Sequence, residues 1–237
     1  MKEQRKIIDF NETIEGKRAV VGIIACVMYS FGVTFLSNSV AGIFSILIFV
    51  TWIIPFVLCG KLVIIGLKKQ SPIKIIVWTL LATILCFLFQ NIIFQNLIEP
   101  LVIKMLGFAK FSSSNTSNFI ENIQNGGVAF VIFMIFGGII LGPMIEELLY
   151  RVCFFTVLRK KSCIFAHFAT AFIFGIQHVF QAIMYEGHPQ EIAIIGGYMA
   201  FSLVLTIMYE KTKTPVPGIL AHMLFNGIGL TYMLLSI

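Results

Sequence analysis

Long apolar runs, each close to the length needed to cross a lipid bilayer, take up most of this chain. A transmembrane helix needs about 20 consecutive apolar residues, which leaves room here for about seven. Hydrophobic residues make up 58% of the 237 residues and charged residues 12%, with a mean hydropathy of +0.95. That composition excludes an ordinary soluble domain. The sequence therefore predicts an all-α fold, a polytopic transmembrane helix bundle of about seven spans.

Basic residues and polar breaks orient and divide the chain. If the N-terminus is cytoplasmic, nearly all Lys and Arg residues fall in segments on the cytoplasmic side of the membrane, and only Lys104 and Lys110 fall in outer loops. Because cytoplasmic loops carry an excess of Lys and Arg, the N-terminus is predicted to be cytoplasmic. Pro100 is expected to end the third span, and the Ser/Asn-rich stretch beyond Lys110 is expected to form a mobile outer loop. The predicted parts are a cytoplasmic segment (1–18), three spans (19–109), an outer loop (110–127) and a core of four spans (128–237).

The fourth run carries an unusual group of charges, because Glu146, Glu147 and Arg151 follow lipid-compatible sequence directly. An ionisable group at mid-bilayer depth costs about 2.5–3.5 kcal/mol on insertion scales, so such groups usually serve a function. Glu147 and Arg151 are four residues apart and are expected to pair on one helix face. Glu146 then points elsewhere, and Pro143 one turn upstream loosens the helix near it. A carboxylate poised for chemistry is the preferred interpretation, and a structural ion pair between helices is the alternative.

Two later runs place further polar side chains at a similar depth. His178 lies about 20 Å along the fifth span, while His222 and Asn226 lie about 8–15 Å along the seventh, at 1.5 Å per residue. Glu146 lies about 18–20 Å from the cytoplasmic end of its own helix. One carboxylate, two imidazoles and an amide are therefore expected to meet in one layer below the cytoplasmic surface.

Such a group of side chains permits the activation of water. A desolvated carboxylate is a competent general base, a histidine can share the water or protonate the leaving amine, and His222 with Asn226 can donate hydrogen bonds to an oxyanion. Two histidines and a glutamate are also the ligand types of a catalytic zinc site. No cofactor is required by the sequence, and Zn²⁺ held by Glu146, His178 and His222 stays an open alternative.

Several other kinds of site are disfavoured. Asp9 is the only aspartate, which excludes an aspartyl dyad, and neither H-E-x-x-H nor G-x-S-x-G occurs. His167 and His188 are interpreted as packed, hydrogen-bonded side chains.

The basic residues lie at span ends, so a lipid bilayer and not nucleic acid is the expected partner. The cysteines are interpreted as reduced, small apolar residues and not as a disulfide or metal framework; they are Cys26, Cys59, Cys86, Cys153 and Cys163.

Three motifs resemble those of the CAAX protease and bacteriocin-processing (CPBP, or Abi) family. Glu146-Glu147-Leu-Leu-Tyr-Arg151 resembles its E-E-x-x-x-R motif, Phe174-Gly-Ile-Gln-His178 its F-x-x-x-H motif and His222-Met-Leu-Phe-Asn226 its H-x-x-x-N motif. The resemblance covers residues 128–237 and implies an intramembrane endopeptidase that cleaves near the cytoplasmic face. It implies Glu146 as the water-activating carboxylate with His178 beside it, His222 and Asn226 as oxyanion or ligand groups, and Glu147 and Arg151 as groups that orient the site.

The predicted function is hydrolysis of a peptide bond in a membrane-associated or hydrophobic peptide. The resemblance implies bacteriocin or pheromone precursors, with self-immunity, or prenylated C-termini as lipidated-protein substrates. Richness in Ile, Phe, Lys and Asn hints at an AT-rich genome and favours the bacterial class and a bacterial plasma membrane. The alternative is a non-enzymatic transporter or an immunity protein that acts by binding. The absence of inverted repeats and paired broken helices disfavours a transporter.

A polar stripe on the third predicted span has two interpretations. Asn91, Gln95 and Glu99 recur at four-residue spacing and therefore share one helix face. Hydrogen bonding between helices is the favoured explanation, and lining of a substrate path is the alternative.

Overall fold

The computed structural model describes residues 17–29, 43–111 and 113–236, and these residues form helices joined by short turns. Most of the predicted N-terminal segment and the turn after the first apolar run lie outside these ranges. The helices are α1 (Lys17–Val27), α2 (Ile43–Lys69), α3 (Pro72–Met105), α4 (Ser114–Met134), α5 (residues 135–159), α6 (Cys163–Met184), α7 (Ile195–Thr212) and α8 (Val216–Ser236). A short 3₁₀ helix, Pro189–Ile194, leads into α7.

The helices are those of a multi-pass membrane protein. Four stretches within the described ranges are long and apolar enough to cross a bilayer: Pro72–Met105, Cys163–Met184, Pro189–Thr212 and Val216–Leu235. Large apolar side chains also cover the outside of the bundle, as lipid-facing surfaces require. The all-α helical membrane bundle is therefore confirmed. The count of seven spans and the cytoplasmic N-terminus stay predictions.

Helix α3 does not end at Pro100, contrary to the prediction. Residues 87–98 wind with wide, π-type turns, and a regular segment starts again at Glu99 and runs to Met105. Pro100 occupies the first turn of that segment, where a missing backbone N–H does no harm. A proline that usually stops a helix is accommodated here because the wide turns precede it.

The predicted outer loop is also mostly helical, because α4 begins at Ser114. The carboxylate of Glu191, which is completely buried, accepts hydrogen bonds from the Ser114 amide at 2.5 Å and from the Ser113 hydroxyl at 3.3 Å. An acidic group at a helix N-terminus satisfies unpaired donors and complements the helix dipole. A kink follows at Gly127, whose φ of 55° is one that glycine tolerates best.

Helix α5 lies at the centre of the bundle and packs against α1, α2, α6, α7 and α8. Its apolar face, with Ile145, Leu149 and Tyr150, joins a buried core to which α1, α3, α6, α7 and α8 contribute. Of the five predicted apolar cysteines, those on α1, α2, α3 and α5 are buried, and none of the four is in a disulfide. Cys163 differs, because it is exposed at the start of α6. The centre of the bundle is thus the helix that carries the three charged residues.

Candidate active site

The structure brings the predicted site residues together from three helices. Helix α5 supplies Glu146, Glu147 and Arg151, α6 supplies His178, and α8 supplies His222 and Asn226. Glu147, Arg151 and His222 are buried, with 1%, 0% and 3% of their surfaces exposed, and Glu146 retains 9%. The carboxylate that keeps some access to its surroundings is therefore the one predicted to do chemistry.

Proline at position 143 explains why Asn226 belongs to this site. Residues 135–141 wind with wide turns, in which the Gly142 amide bonds the Gly137 carbonyl five residues back. The next donor in that register would be residue 143, but proline has no N–H, so the Gly138 carbonyl is left without its helical partner. The Asn226 Nδ2 donates to that carbonyl at 2.9 Å. Within a membrane such a group must be satisfied by protein, and Asn226 thereby ties α8 to α5.

A buried ion pair anchors the inner side of the site. Arg151 Nε lies 3.1 Å from Glu147 Oε2, which gives the predicted pair one helical turn apart. The guanidinium also donates from Nη2 to the hydroxyl and carbonyl of Ser202 on α7, at 3.3 and 3.4 Å. Helix α8 also approaches the Glu147 carboxylate closely at Gly218, where a Cβ would lie 3.1 Å from Oε2. Helices α5, α7 and α8 therefore meet at this ion pair.

His222 connects the two adjacent glutamates. Its Nδ1 lies 3.1 Å from Glu147 Oε1, and because a carboxylate only accepts, Nδ1 carries the proton of that hydrogen bond. Its Nε2 then faces Glu146 Oε2 at 3.7 Å. Arg151, Glu147, His222 and Glu146 thus form one continuous polar chain, in which Glu147 fixes the orientation of the imidazole.

Four polar residues that the sequence did not single out complete the cluster. The Tyr29 hydroxyl at the end of α1 donates to Glu146 Oε1 at 3.0 Å. The Tyr150 hydroxyl donates to the Gln177 side chain, which also interacts with Tyr29. Ser202 holds Arg151, as described above. Gln177 immediately precedes His178, so its position beside a candidate histidine was a usable signal, whereas Tyr29 had none.

His178 is held in one orientation beside this cluster. Its Nδ1 lies 2.8 Å from the carbonyl of Phe174, one turn back on α6, so Nδ1–H donates and the neutral ring keeps its lone pair on Nε2. The ring stacks on Tyr198 with centroids 4.4 Å apart and 23° between the planes. It lies within electrostatic range of Glu146 and His222. The Phe174 carbonyl and the Tyr198 ring therefore fix both the orientation and the tautomer of this imidazole.

A cavity of about 670 Å³ adjoins the cluster. Asn226 and Gly138 line it, and the stripe Asn91, Gln95 and Glu99 lines it along α3. The stripe therefore faces open space beside the site, which matches the second of its two interpretations. Aromatic side chains, among them Phe87, Phe94, Tyr198 and Phe225, supply the apolar part of the wall.

The two remaining histidines are packed and hydrogen-bonded, as predicted. His167 contacts Thr206 and Glu210 at 3.0 and 2.7 Å, and His188 contacts Gln190 at 3.3 Å. Neither belongs to the cluster around Glu146. The Glu210 carboxylate that His167 contacts also contacts the Cys163 thiol.

Comparisons with known proteins agree with the three motifs. The sequence model described as type II CAAX prenyl endopeptidase Rce1-like matches residues 128–228. The chain is 24% identical over 207 residues to the membrane-embedded CAAX protease MroQ of Staphylococcus aureus (strain USA300). The aligned region covers 80% of this chain and 75% of MroQ. The chain is also 32% identical over 89 residues to the UPF0177 protein YaiF of Lactococcus lactis subsp. lactis (strain IL1403). That aligned region covers 38% of this chain and 35% of YaiF. The chain therefore spans about a third of the length of YaiF. No solved structure matches.

Membrane-spanning helices around a buried cluster of glutamate and histidine define the broad class, a helical membrane protein with an embedded polar site. The matches then narrow this class. Residues 128–228 are similar to the type II CAAX prenyl endopeptidase Rce1-like model, and most of the chain is similar to a membrane-embedded CAAX protease.

Proposed function

We propose that this protein is an intramembrane endopeptidase in which Glu146 activates a water molecule for attack on a peptide carbonyl. The observation that carries the proposal is the 3.7 Å separation of Glu146 Oε2 and His222 Nε2. A polar contact of that length suits a bridging water, and both atoms can accept its hydrogens. Glu147 holds the other nitrogen of His222, so the accepting lone pair on Nε2 is directed at the water.

Each step of hydrolysis has a group that suits it. Glu146 takes a proton as the water oxygen bonds to the carbonyl carbon, and it returns that proton to the nitrogen as the C–N bond breaks. Asn226 uses Nδ2 to hold the Gly138 carbonyl, and the second hydrogen of the same Nδ2 is available for a developing oxyanion on the cavity side. His178, whose Nδ1 is held by the Phe174 carbonyl, is the second imidazole near Glu146 and is proposed to assist proton transfer.

A zinc mechanism is the alternative that the donor types support. The Glu146 carboxylate and the Nε2 atoms of His178 and His222 are ligands that catalytic zinc uses, and the Nδ1 hydrogen bonds of both histidines are the orienting contacts that zinc-bound histidines usually have. Bound zinc would lower the pKa of a coordinated water. Elemental analysis of purified protein separates the two mechanisms: zinc that is lost in His222→Ala supports the metalloenzyme, and an active wild type whose zinc content His222→Ala leaves unchanged supports the carboxylate.

The proposed substrate is a hydrophobic or membrane-associated peptide. The cavity that Asn226 lines has aromatic walls with one polar stripe, which suits an extended peptide whose backbone needs hydrogen bonds inside a membrane. One relative bears the name CAAX protease, so prenylated C-terminal peptides are one class to test. Apolar bacterial peptide precursors are the other.

The test compares full-length protein in liposomes with Glu146→Gln, using mass spectrometry to detect new peptide ends. The substrates are a prenylated peptide and a set of unmodified apolar peptides. We expect cleavage by the wild type and by Glu121→Gln, a control at an exposed glutamate of α4, and none by Glu146→Gln. Cleavage by Glu146→Gln at the wild-type rate would overturn the proposed role of Glu146. A biological effect that survives in Glu146→Gln would favour a binding function.

A further inference from the structure

A second group of ionisable side chains lies at the helix ends that the basic residues place on the cytoplasmic side. Cys163 and His167 sit one turn apart at the start of α6, and Glu210 lies in the last turn of α7. His167 is eleven residues before His178, which is about 16 Å along the helix. The group is therefore separate from the candidate active site.

The hydrogen bonds of His167 determine which nitrogen carries its proton. Nδ1 lies 3.0 Å from Thr206 Oγ1, and that hydroxyl donates to the carbonyls of Ser202 and Leu203 at 3.1 and 3.0 Å. The hydroxyl hydrogen is thus committed to carbonyls that can only accept, so His167 Nδ1–H must donate to Thr206. The Nε2 lone pair then points at Glu210 Oε2, only 2.7 Å away. Two acceptors at that distance need a proton or a cation between them.

The same carboxylate oxygen also faces a thiol. Cys163 Sγ lies 3.2 Å from Glu210 Oε2, and the three donor atoms of Cys163, His167 and Glu210 all lie within 4.8 Å of one another. Thiolate, imidazole and carboxylate are the three ligand types of protein-bound zinc. The bond from His167 Nδ1 to Thr206 is the orienting contact that metal-bound histidines usually make through their second nitrogen.

Arg159 leaves this arrangement open to a cation. Its Nε and Nη2 both bond Glu210 Oε1, at 3.0 and 2.7 Å. The arginine therefore binds Oε1, which Cys163 Sγ also approaches at 3.5 Å, while Oε2 lies closer to that thiol and faces His167. The competing arrangement is an imidazolium at His167 with a protonated thiol, which needs no metal.

We infer that Cys163, His167 and Glu210 form a binding site for a zinc-type transition-metal ion, with water as the remaining ligand. Binding releases the Cys163 thiol proton and the proton that otherwise lies between His167 Nε2 and Glu210, and it places a dication among the three donor atoms. The ion would join the start of α6, the helix that carries His178, to the end of α7. This site revises the interpretation of Cys163 and His167 as purely structural residues.

The test uses Co²⁺ as a spectroscopic substitute for zinc on the full-length protein, purified in detergent and stripped with a chelator. We expect one equivalent of Co²⁺ to produce a thiolate-to-cobalt charge-transfer band that added Zn²⁺ abolishes. Cys163→Ser should lose that band, and His167→Ala should weaken binding by about tenfold or more. The controls are His188→Ala, at a loop histidine outside the group, and Glu146→Gln; both should keep the band.

Either of two results would overturn the inference. One is a wild-type protein that gives no charge-transfer band at excess Co²⁺. The other is a band that persists in Cys163→Ser, because the thiolate would then belong to another cysteine. Circular dichroism of each variant shows whether it keeps the helical fold. A folded Cys163→Ser protein without the band therefore supports the site directly, independently of any peptidase activity.

Discussion

The bundle contains two groups made from the same three residue types, glutamate, histidine and arginine, in different surroundings. In the inner group Arg151 and Glu147 are 0% and 1% exposed, whereas in the outer group Arg159 and Glu210 are 30% and 19% exposed. Charges interact much more strongly where water is excluded, and an unpaired charge costs much more there. The comparison teaches that burial separates two groups of similar composition: the inner one suits the proposed chemistry, and the outer one stays accessible to ions.

The largest expected difference between the two groups is in peptide hydrolysis. Glu146→Gln removes the proposed base and should lower the rate of cleavage by about 10²–10⁴-fold. Glu210→Gln removes a carboxylate of the outer group and should leave the rate within about twofold, because nothing in the proposed chemistry passes through it. Initial rates on one reconstituted peptide substrate measure both. Equal losses in the two variants would mean that the groups are not functionally distinct.

Stability should separate the two arginines next. Arg151→Gln leaves the Glu147 charge buried without its partner, and such changes typically cost about 3–5 kcal/mol. Arg159→Gln breaks a partly exposed pair, which is worth about 0.2–1 kcal/mol. Unfolding by SDS titration from mild detergent, followed by circular dichroism, compares the two variants. An Arg151→Gln midpoint close to that of Arg159→Gln would show that water reaches the inner pair.

The close approach of α8 to the inner carboxylate gives a third, smaller test. A methyl group at residue 218 would lie 3.1 Å from Glu147 Oε2, so Gly218→Ala should displace the carboxylate or the helix. Overpacking of this kind costs about 1–3 kcal/mol. Gly60→Ala is the matched control, because a Cβ there meets nothing within 4 Å. The same SDS titration applies, and an unchanged midpoint for Gly218→Ala would mean that α8 shifts without cost.

The inner group was largely predictable from the sequence. Helical spacing and depth in the membrane both follow from the number of residues between two positions. Glu147 and Arg151 are one turn apart and do pair. The shared depth of Glu146 and His222 also anticipated that they would meet. Such inferences need only the rise and the period of a helix.

The partners of these residues were not predictable, because they depend on which helix faces meet. Tyr29 and Ser202 lie in apolar helical segments whose sequences do not show which helix face points toward the site. Their contacts with Glu146 and Arg151 could therefore not be predicted from the sequence. The helix at Ser114 was missed for a related reason. Its N-terminus is capped by Glu191, which is 77 residues away in the chain, whereas the local Ser/Asn-rich composition favours a loop.

The smallest expected effect concerns Tyr29, which follows α1 and whose hydroxyl donates to Glu146 Oε1 of the inner group. Tyr29→Phe keeps the ring but removes the donor to Glu146 Oε1, and hydrogen bonds to charged groups contribute about 1.5–3 kcal/mol. Part of that loss is regained when Glu146 finds another donor, so we expect kcat to fall about tenfold at an unchanged KM. Tyr185→Phe, at an exposed tyrosine beyond the end of α6, is the control. If Tyr29 only packs α1 against α5, both variants should keep the wild-type kcat, because phenylalanine preserves that packing; a fall confined to Tyr29→Phe therefore identifies it as a positioning residue for the Glu146 carboxylate.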